Sequence, residues 1–201
     1  AQDNCPAIAN AGQVDGDADG IGDACDACNA VAGVVAYQSK LVLGKLGAPL
    51  GDETLSFAST LFGVPSSPAL DPVGKGIRFL LADAAGTTVV DALVPGGAYD
   101  GGARVGWTRN ATGASFKYTN RSGVTVGGLV KMTLRRTAVP GQVKVKLQGK
   151  FGTYPADLAH LPLQATVVLD PPIAQTGQCA ETRTTPFACV VRGGGSKLLC
   201  K

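Results

Sequence analysis

Aromatic residues are scarce in this chain, at 5%, and charged residues make up only 16% of its 201 positions. One histidine, one tryptophan and one methionine are present. No run of 18 apolar residues occurs, so no segment reads as a membrane-spanning helix. The usual catalytic patterns are missing as well. His160 stands alone between apolar neighbours, there is no Gly-x-Ser-x-Gly elbow, and Gly74-Lys75-Gly76 lacks the length and the following Ser or Thr of a phosphate loop. Beyond residue 28 the only glutamates are Glu53 and Glu181, which leaves few acids for sugar hydrolysis. The chain is therefore expected not to be an enzyme, a secreted glycan hydrolase being the least favoured alternative. Interleaved exposed aromatics are absent too, so nucleic-acid binding is not expected.

Glycine, by contrast, is abundant at 28 residues, hydrophobic residues reach 45%, and there are six cysteines. That composition fits an extracellular β-rich protein better than a cytosolic enzyme. The first residue is alanine, which is expected of a mature chain whose secretion signal has been removed. Charge is segregated. Residues 1–28 hold six aspartates and no lysine or arginine, a formal −6, while the remainder carries +9.

The densest signal runs from Asp15 to Asp26, D-G-D-A-D-G-I-G-D-A-C-D. Aspartates occupy positions 1, 3, 5, 9 and 12 of this twelve-residue stretch, with Gly20 at position 6. Calcium takes six to eight oxygens at about 2.3–2.6 Å, and a single short loop supplies them when carboxylates alternate with small residues around a sharp turn. Asp15, Asp17 and Asp19 would enter from one side and the Ile21 carbonyl would face the ion. Asp23 would hold it directly or through water, and Asp26 would close the cage. This is the logic of the EF-hand loop with aspartate at its last position. A plain acidic turn is the alternative, but without a cation these carboxylates would repel one another across a few ångströms, and the first basic residue is Lys40. Ca2+ is thus the expected ion.

Residues 3–28 carry more than the aspartate ladder: the Asn-Cys-Pro start, Asn10, Gln13 and the Asp-Ala-Cys-Asp close. Together these resemble a thrombospondin type 3 repeat, a calcium-organised and largely irregular segment of extracellular proteins. The resemblance implies that Asp15, Asp17, Asp19, Asp23 and Asp26 are ligands and that Cys5 and Cys25 are its bridging pair. It also points to Asp3 and Asn10 as contributors to a second ion site. Only one copy is present, so a second complete site needs ligands from elsewhere. No family is identified for the rest of the chain.

Cys25-Asp-Ala-Cys28 has redox spacing, but the surrounding aspartates would raise a thiol pKa rather than stabilise a thiolate. Structural disulfides are expected instead. Six cysteines allow 15 complete pairings, and beyond the pair implied by the resemblance we favour Cys189–Cys200 closing a terminal hairpin. Cys28–Cys179 is then left to staple head to body.

From about Tyr37 the hydrophobic period settles toward two. Leu55, Phe57, Ser59 and Leu61 alternate with polar neighbours, and Gly76 to Ala82 and Thr87 to Val94 flank a turn at Asp83-Ala-Ala-Gly86. Further strands are expected at Ala114 to Tyr118 and Leu163 to Leu169. A hairpin should place Met132, Leu134, Val143, Val145, Leu147 and Phe151 inward, and Lys131, Arg135, Lys144, Lys146 and Lys150 outward. That basic outer face is expected to be solvated surface or a contact for an acidic head or anionic polymer. Phe187 to Val191 and Lys197 to Cys200 form the terminal hairpin. Trp107 is read as core packing, with a sugar-stacking platform as the functional alternative. Asn110-Ala-Thr and Asn120-Arg-Ser fit the N-glycosylation pattern.

The expected organisation is a calcium-binding segment at 1–28, a connector at 29–36, and a body at 37–201. The body is expected to be a mainly β, antiparallel β-sandwich of about nine or ten strands. The expected function is a secreted, calcium-stabilised structural or assembly protein of the cell surface or extracellular matrix. Its expected partners are other copies of itself or matrix components. A carbohydrate-binding or adhesion module is the alternative, with glycan as partner.

Overall fold

The computed structural model describes residues 3–18, 20–29, 34–47, 49–172, 176–182 and 188–201. Twelve strands are present among them: β1 (Val35–Gly44), β2 (Glu53–Phe62), β3 (Ile77–Ala82), β4 (Thr88–Val94), β5 (Val105–Arg109) and β6 (Ser115–Asn120), then β7 (Leu129–Arg136), β8 (Val143–Gly152), β9 (Gln164–Val168), β10 (Cys179–Glu181), β11 (Cys189–Arg192) and β12 (Lys197–Cys200). No described helix is long and apolar enough to cross a membrane.

The strands form one hydrogen-bonded sheet in the order β4-β3-β9-β10-β1-β2-β8-β7-β6-β5, where two separate sheets were expected. Pairing between the strands is antiparallel except for the Val35–Glu181 pair of β1 and β10. The far half of β1 pairs instead with β12, and β12 with β11, so one edge of β1 serves two partners. The sheet curls into a half-barrel. Phe57 on β2 and Phe79 on β3 lie four strands apart in the order, yet their ring centroids are 5.2 Å from each other. Curling lets a single sheet enclose its own core, the role a second sheet plays in a sandwich. The inner face is lined by Leu41, Leu55, Leu81, Met132, Leu134 and Val145, all at 2% exposure or less.

The two edge strands, β4 and β5, are consecutive in sequence, and the segment between them pairs with the β5 edge. The Trp107 N–H donates to Gly97 O at 2.9 Å, and the Tyr99 N–H donates to Trp107 O at 2.8 Å. Trp107 itself is buried, packs at a tilt against Tyr118 with ring centroids 5.3 Å apart, and donates its indole N–H to Pro95 O at 2.9 Å. Its role is core packing.

Two departures from simple alternation have local causes. In β1 the register against β2 shifts between Tyr37 and Lys40, and Gln38 takes φ +51°, so a bulge interrupts the period at the strand's start. Phe151, expected inward, is 76% exposed. Opposite it the ladder shifts between Glu53 and Thr54, leaving Phe151 as the extra residue at φ +56°. Tyr154 fills the vacated interior. Its ring occupies the space a Cβ would need at Gly149, Gly152 and Gly128, and its hydroxyl donates to Gly127 O at 3.2 Å. Burial, reinforced by the Glu53 carboxylate, pushes the Tyr154 hydroxyl up to about 12.

Asp170, just past β9, is 7% exposed. Its Oδ2 accepts from the Thr176 hydroxyl, and its Oδ1 has no hydrogen bond among the described residues. Burial raises its pKa above the ordinary carboxylate value, outweighing the Thr176 bond and the more distant Lys75. The folded state therefore holds this proton more tightly than the unfolded one, and stability falls as pH rises from the unfolded pKa through the folded one. Asp170→Asn should raise the urea midpoint at pH 7, with the gain disappearing at about pH 3, where both chains are uncharged at this site. An equal gain at both pH values would show that ionisation is not the cause.

Candidate metal centre

Among the described residues of 3–29 there is no strand or helix, and the segment has few large apolar side chains, so polar contacts and disulfides give these residues their shape. The Cys5–Cys25 bridge ties the two ends of the segment together. Inside it, Asn4 and Gln13 form a two-way clamp. Gln13 Oε1 accepts from the Asn4 N–H at 2.9 Å, and Asn4 Nδ2 donates to Gln13 O at 3.1 Å. Asn10 Nδ2 donates to Asn4 Oδ1 at 2.6 Å. Gly22 N donates to Asn4 O at 2.9 Å, which draws the end of the acidic loop onto this clamp.

The loop from Asp15 onward is closed by its own backbone. The Asp23 N–H donates to Val14 O at 2.8 Å, the Gly16 N–H to Asp23 Oδ1 at 2.7 Å, and the Gly20 N–H to Asp15 Oδ2 at 2.9 Å. Gly20 sits at φ +93°, in the left-handed region that its place in the sequence predicted. Asp15, Asp17, Ile21 and Asp23 are half-buried, and Asp26 is 4% exposed, with Oδ1 accepting from the Cys28 N–H at 3.0 Å. Asp19, the expected third ligand, lies outside the described residues. Among the described residues no three carboxylate, thiol or imidazole groups form a metal cage.

The donor set nevertheless suits a hard cation. It is all oxygen, and no lysine or arginine occurs in residues 1–28 to neutralise it. A buried carboxylate such as Asp26 carries a large desolvation cost unless charge or hydrogen bonds offset it. Asn29 adds an observation that the spacing of aspartates did not reveal. Its Nδ2 donates to Asp23 O at 3.2 Å, while its Oδ1 is buried with no hydrogen-bond partner among the described residues. An amide oxygen immediately after Cys28, at the end of an acidic segment, was the available signal.

Asp3 and Asn10, the candidates for a second site, are brought together by Gln13. The Gln13 side-chain amide donates to Asn10 Oδ1 at 2.7 Å, Asn10 O at 3.0 Å and Asp3 Oδ1 at 3.1 Å. An NH2 group therefore sits among the three oxygens that a second ion would need.

Cys28 is bonded to Cys179, closing 151 residues, and it packs with Cys179 against Val168 on β9 and Leu80 on β3. The acidic segment is thereby pinned to the outer face of the sheet. The third bridge, Cys189–Cys200, joins residues directly opposite in the terminal hairpin, and no described cysteine is free. Residues 183–187, which include Phe187, and residues 30–33 of the connector lie outside the described residues.

His160 is half exposed, with Nδ1 3.1 Å from Asp157 Oδ2 and 3.8 Å from Asp83 Oδ2. The Asp83 carboxylate caps its own turn, accepting from the Ala85 and Thr87 N–H groups. No hydroxyl or thiol is hydrogen-bonded to His160 among the described residues. Asn110 also serves a turn, its Oδ1 accepting from Ala114 and Ser115, and Asn120 is buried at 6%.

Comparison with protein-family models, curated proteins and solved structures returns no match for this chain.

The clamp makes a sharp prediction at Gly22. A Cβ there would lie 2.7 Å from Asn10 Nδ2 and still closer to Asn4 Oδ1. Gly22→Ala should loosen residues 3–29 by about 1–3 kcal/mol, the usual cost of overpacking. Hydrogen exchange should rise in that segment while β2, β7 and β8 keep native protection. Unchanged exchange at Asn4 and Gln13 would refute the clamp.

Proposed function

We propose that residues 3–29 bind Ca2+ and that the chain is a secreted, calcium-stabilised structural or assembly protein of a cell surface or extracellular matrix. The observation that carries this reading is a disulfide-bounded segment of oxygen donors without one cation, containing a buried carboxylate at Asp26 and a buried amide oxygen at Asn29. Asp15, Asp17, Asp19, Asp23 and the Ile21 carbonyl are the proposed first ligands, with Asp26 closing the site and Asn29 at its rim. The resemblance of this segment to a thrombospondin type 3 repeat supports the same ion.

The ion replaces a hydrophobic core. Extracellular sites of this class bind at about 10⁻⁴–10⁻³ M. At ten times the dissociation constant, binding only the folded state adds about 1.4 kcal/mol of stability. The disulfides limit how far the empty segment can open. In the chain-entropy account a 20-residue closure such as Cys5–Cys25 contributes about 3 kcal/mol.

Burial of Trp107 argues against one version of the glycan-binding alternative, a sugar-stacking platform built on that residue. Trp107, Tyr118 and Tyr154 are all buried, whereas Tyr37, Phe62, Tyr99 and Phe151 are exposed. None of the three buried residues offers an open ring face on which a sugar could stack.

Calorimetry should give stoichiometric calcium uptake at millimolar concentration, lost in Asp17→Ala. Chelator should raise hydrogen exchange of residues 3–29 in the native chain and leave β2, β7 and β8 unchanged. Absence of uptake, together with equal protection with and without calcium, would reject the proposal.

A further inference from the structure

We propose that the outer face of β2, β8, β7 and β6 is the docking surface for the acidic segment of a second copy, so that copies join head to tail. This rests on the reading of residues 3–29 as a calcium-shaped element and names its partner surface.

Six cations stand on that face: Lys117 on β6, Lys131 and Arg135 on β7, and Lys144, Lys146 and Lys150 on β8, all exposed. The register makes them a lattice. Arg135 lies opposite Lys144, Thr133 lies between Lys146 and Lys117, and Lys131 lies opposite Gln148. Strands are about 4.8 Å apart and alternate residues about 7 Å apart, so neighbouring cations sit within a Debye length at ordinary salt. No aspartate or glutamate occurs in β6, β7 or β8, and Glu53 of β2 is buried. Among the described residues none of the six forms an ion pair or a side-chain hydrogen bond. Such concentrated like charge is unfavourable for the isolated molecule and complementary to a polyanion.

The same chain carries that polyanion. Residues 1–28 hold a formal −6, and one bound calcium would leave about −4. The molecule's own segment is tied elsewhere, because Cys28 is fixed against Val168 and Leu80, with β10, β1 and β2 lying between β9 and β8. The anchor of the acidic segment and the cationic face lie on different parts of the sheet, no ion pair joins the two among the described residues, and the proposed contact is made across copies. A contact between two different surfaces is heterologous, and without ring closure it propagates as an open chain.

Light scattering and sedimentation of the full chain in millimolar calcium test this, at about 25 mM and about 500 mM salt, on either side of effective screening. Mass should rise with concentration to at least twice 20.3 kDa in low salt and return to the monomer in high salt. Lys131→Glu/Lys146→Glu should be monomeric in both, with unchanged calcium uptake and unchanged Trp107 fluorescence as the check on folding. Added below equal ratio, this variant still presents an acidic segment and should shorten native assemblies by capping them. A native monomer in low salt that takes up calcium would overturn head-to-tail docking while leaving the calcium reading intact. So would a monomer that instead binds a sulfated polysaccharide through Lys131 and Lys146. Salt-dependent assembly without calcium uptake would support the docking and reject the calcium site.

Discussion

The constraint on which this fold depends is that one sheet must bury its inner face against itself. A flat sheet of twelve strands would leave its apolar face in water, and each large residue left exposed forgoes about 1.5–3 kcal/mol. Curling brings Phe57 to Phe79 across four strand positions and closes Leu41, Leu81 and Met132 into one interior. Local features follow from that curvature. The bulges at Tyr37–Lys40 and beside Phe151 bend the strands, and the glycines beneath Tyr154 make room for a large ring where the wall is tight. The segment linking β4 to β5 then pairs with the β5 edge, limiting the strand edge open to other chains.

Residues 3–18 and 20–29 obey a different physics. They contribute little apolar area, so amide and backbone hydrogen bonds, a disulfide and the charge balance determine their shape. Asn4, Asn10 and Gln13 satisfy one another and hold the described chain in place, in a segment whose residues 1–28 include no lysine or arginine. Such a segment gains from any hard cation that lowers its self-repulsion. Its covalent tie through Cys28 means that whatever orders it is transmitted to β9 and β10 on the sheet. Charge separation between this segment and the β6–β8 face then becomes a property of the whole molecule.

Alternation of small polar and apolar residues announced the hairpins well. The turn at Asp83–Gly86, with Gly86 at φ +81°, and the Lys/Val alternation of β8 lie where period two places them. Strands broken by bulges were harder to read, because an inserted residue reverses the pattern. Phe151 follows the apolar register on paper and faces solvent in the fold. The acidic loop was legible from its spacing, whereas Asn29 offered only its place next to Cys28, since a single asparagine has no period and the burial of its Oδ1 is seen only in the fold.

Composition and spacing by themselves determined that this chain would be mainly β, that its negative charge would be concentrated at one end, and that Gly20 would turn a loop of carboxylates. Those properties are local, governed by side-chain period, glycine φ and charge along a few residues. Only the tertiary structure decided that the strands join in one curled sheet rather than two stacked ones, that Trp107 lies inside, and which flank of the sheet holds Cys28. These depend on pairings between residues far apart in sequence, and the burial they produce has no signature in any short stretch.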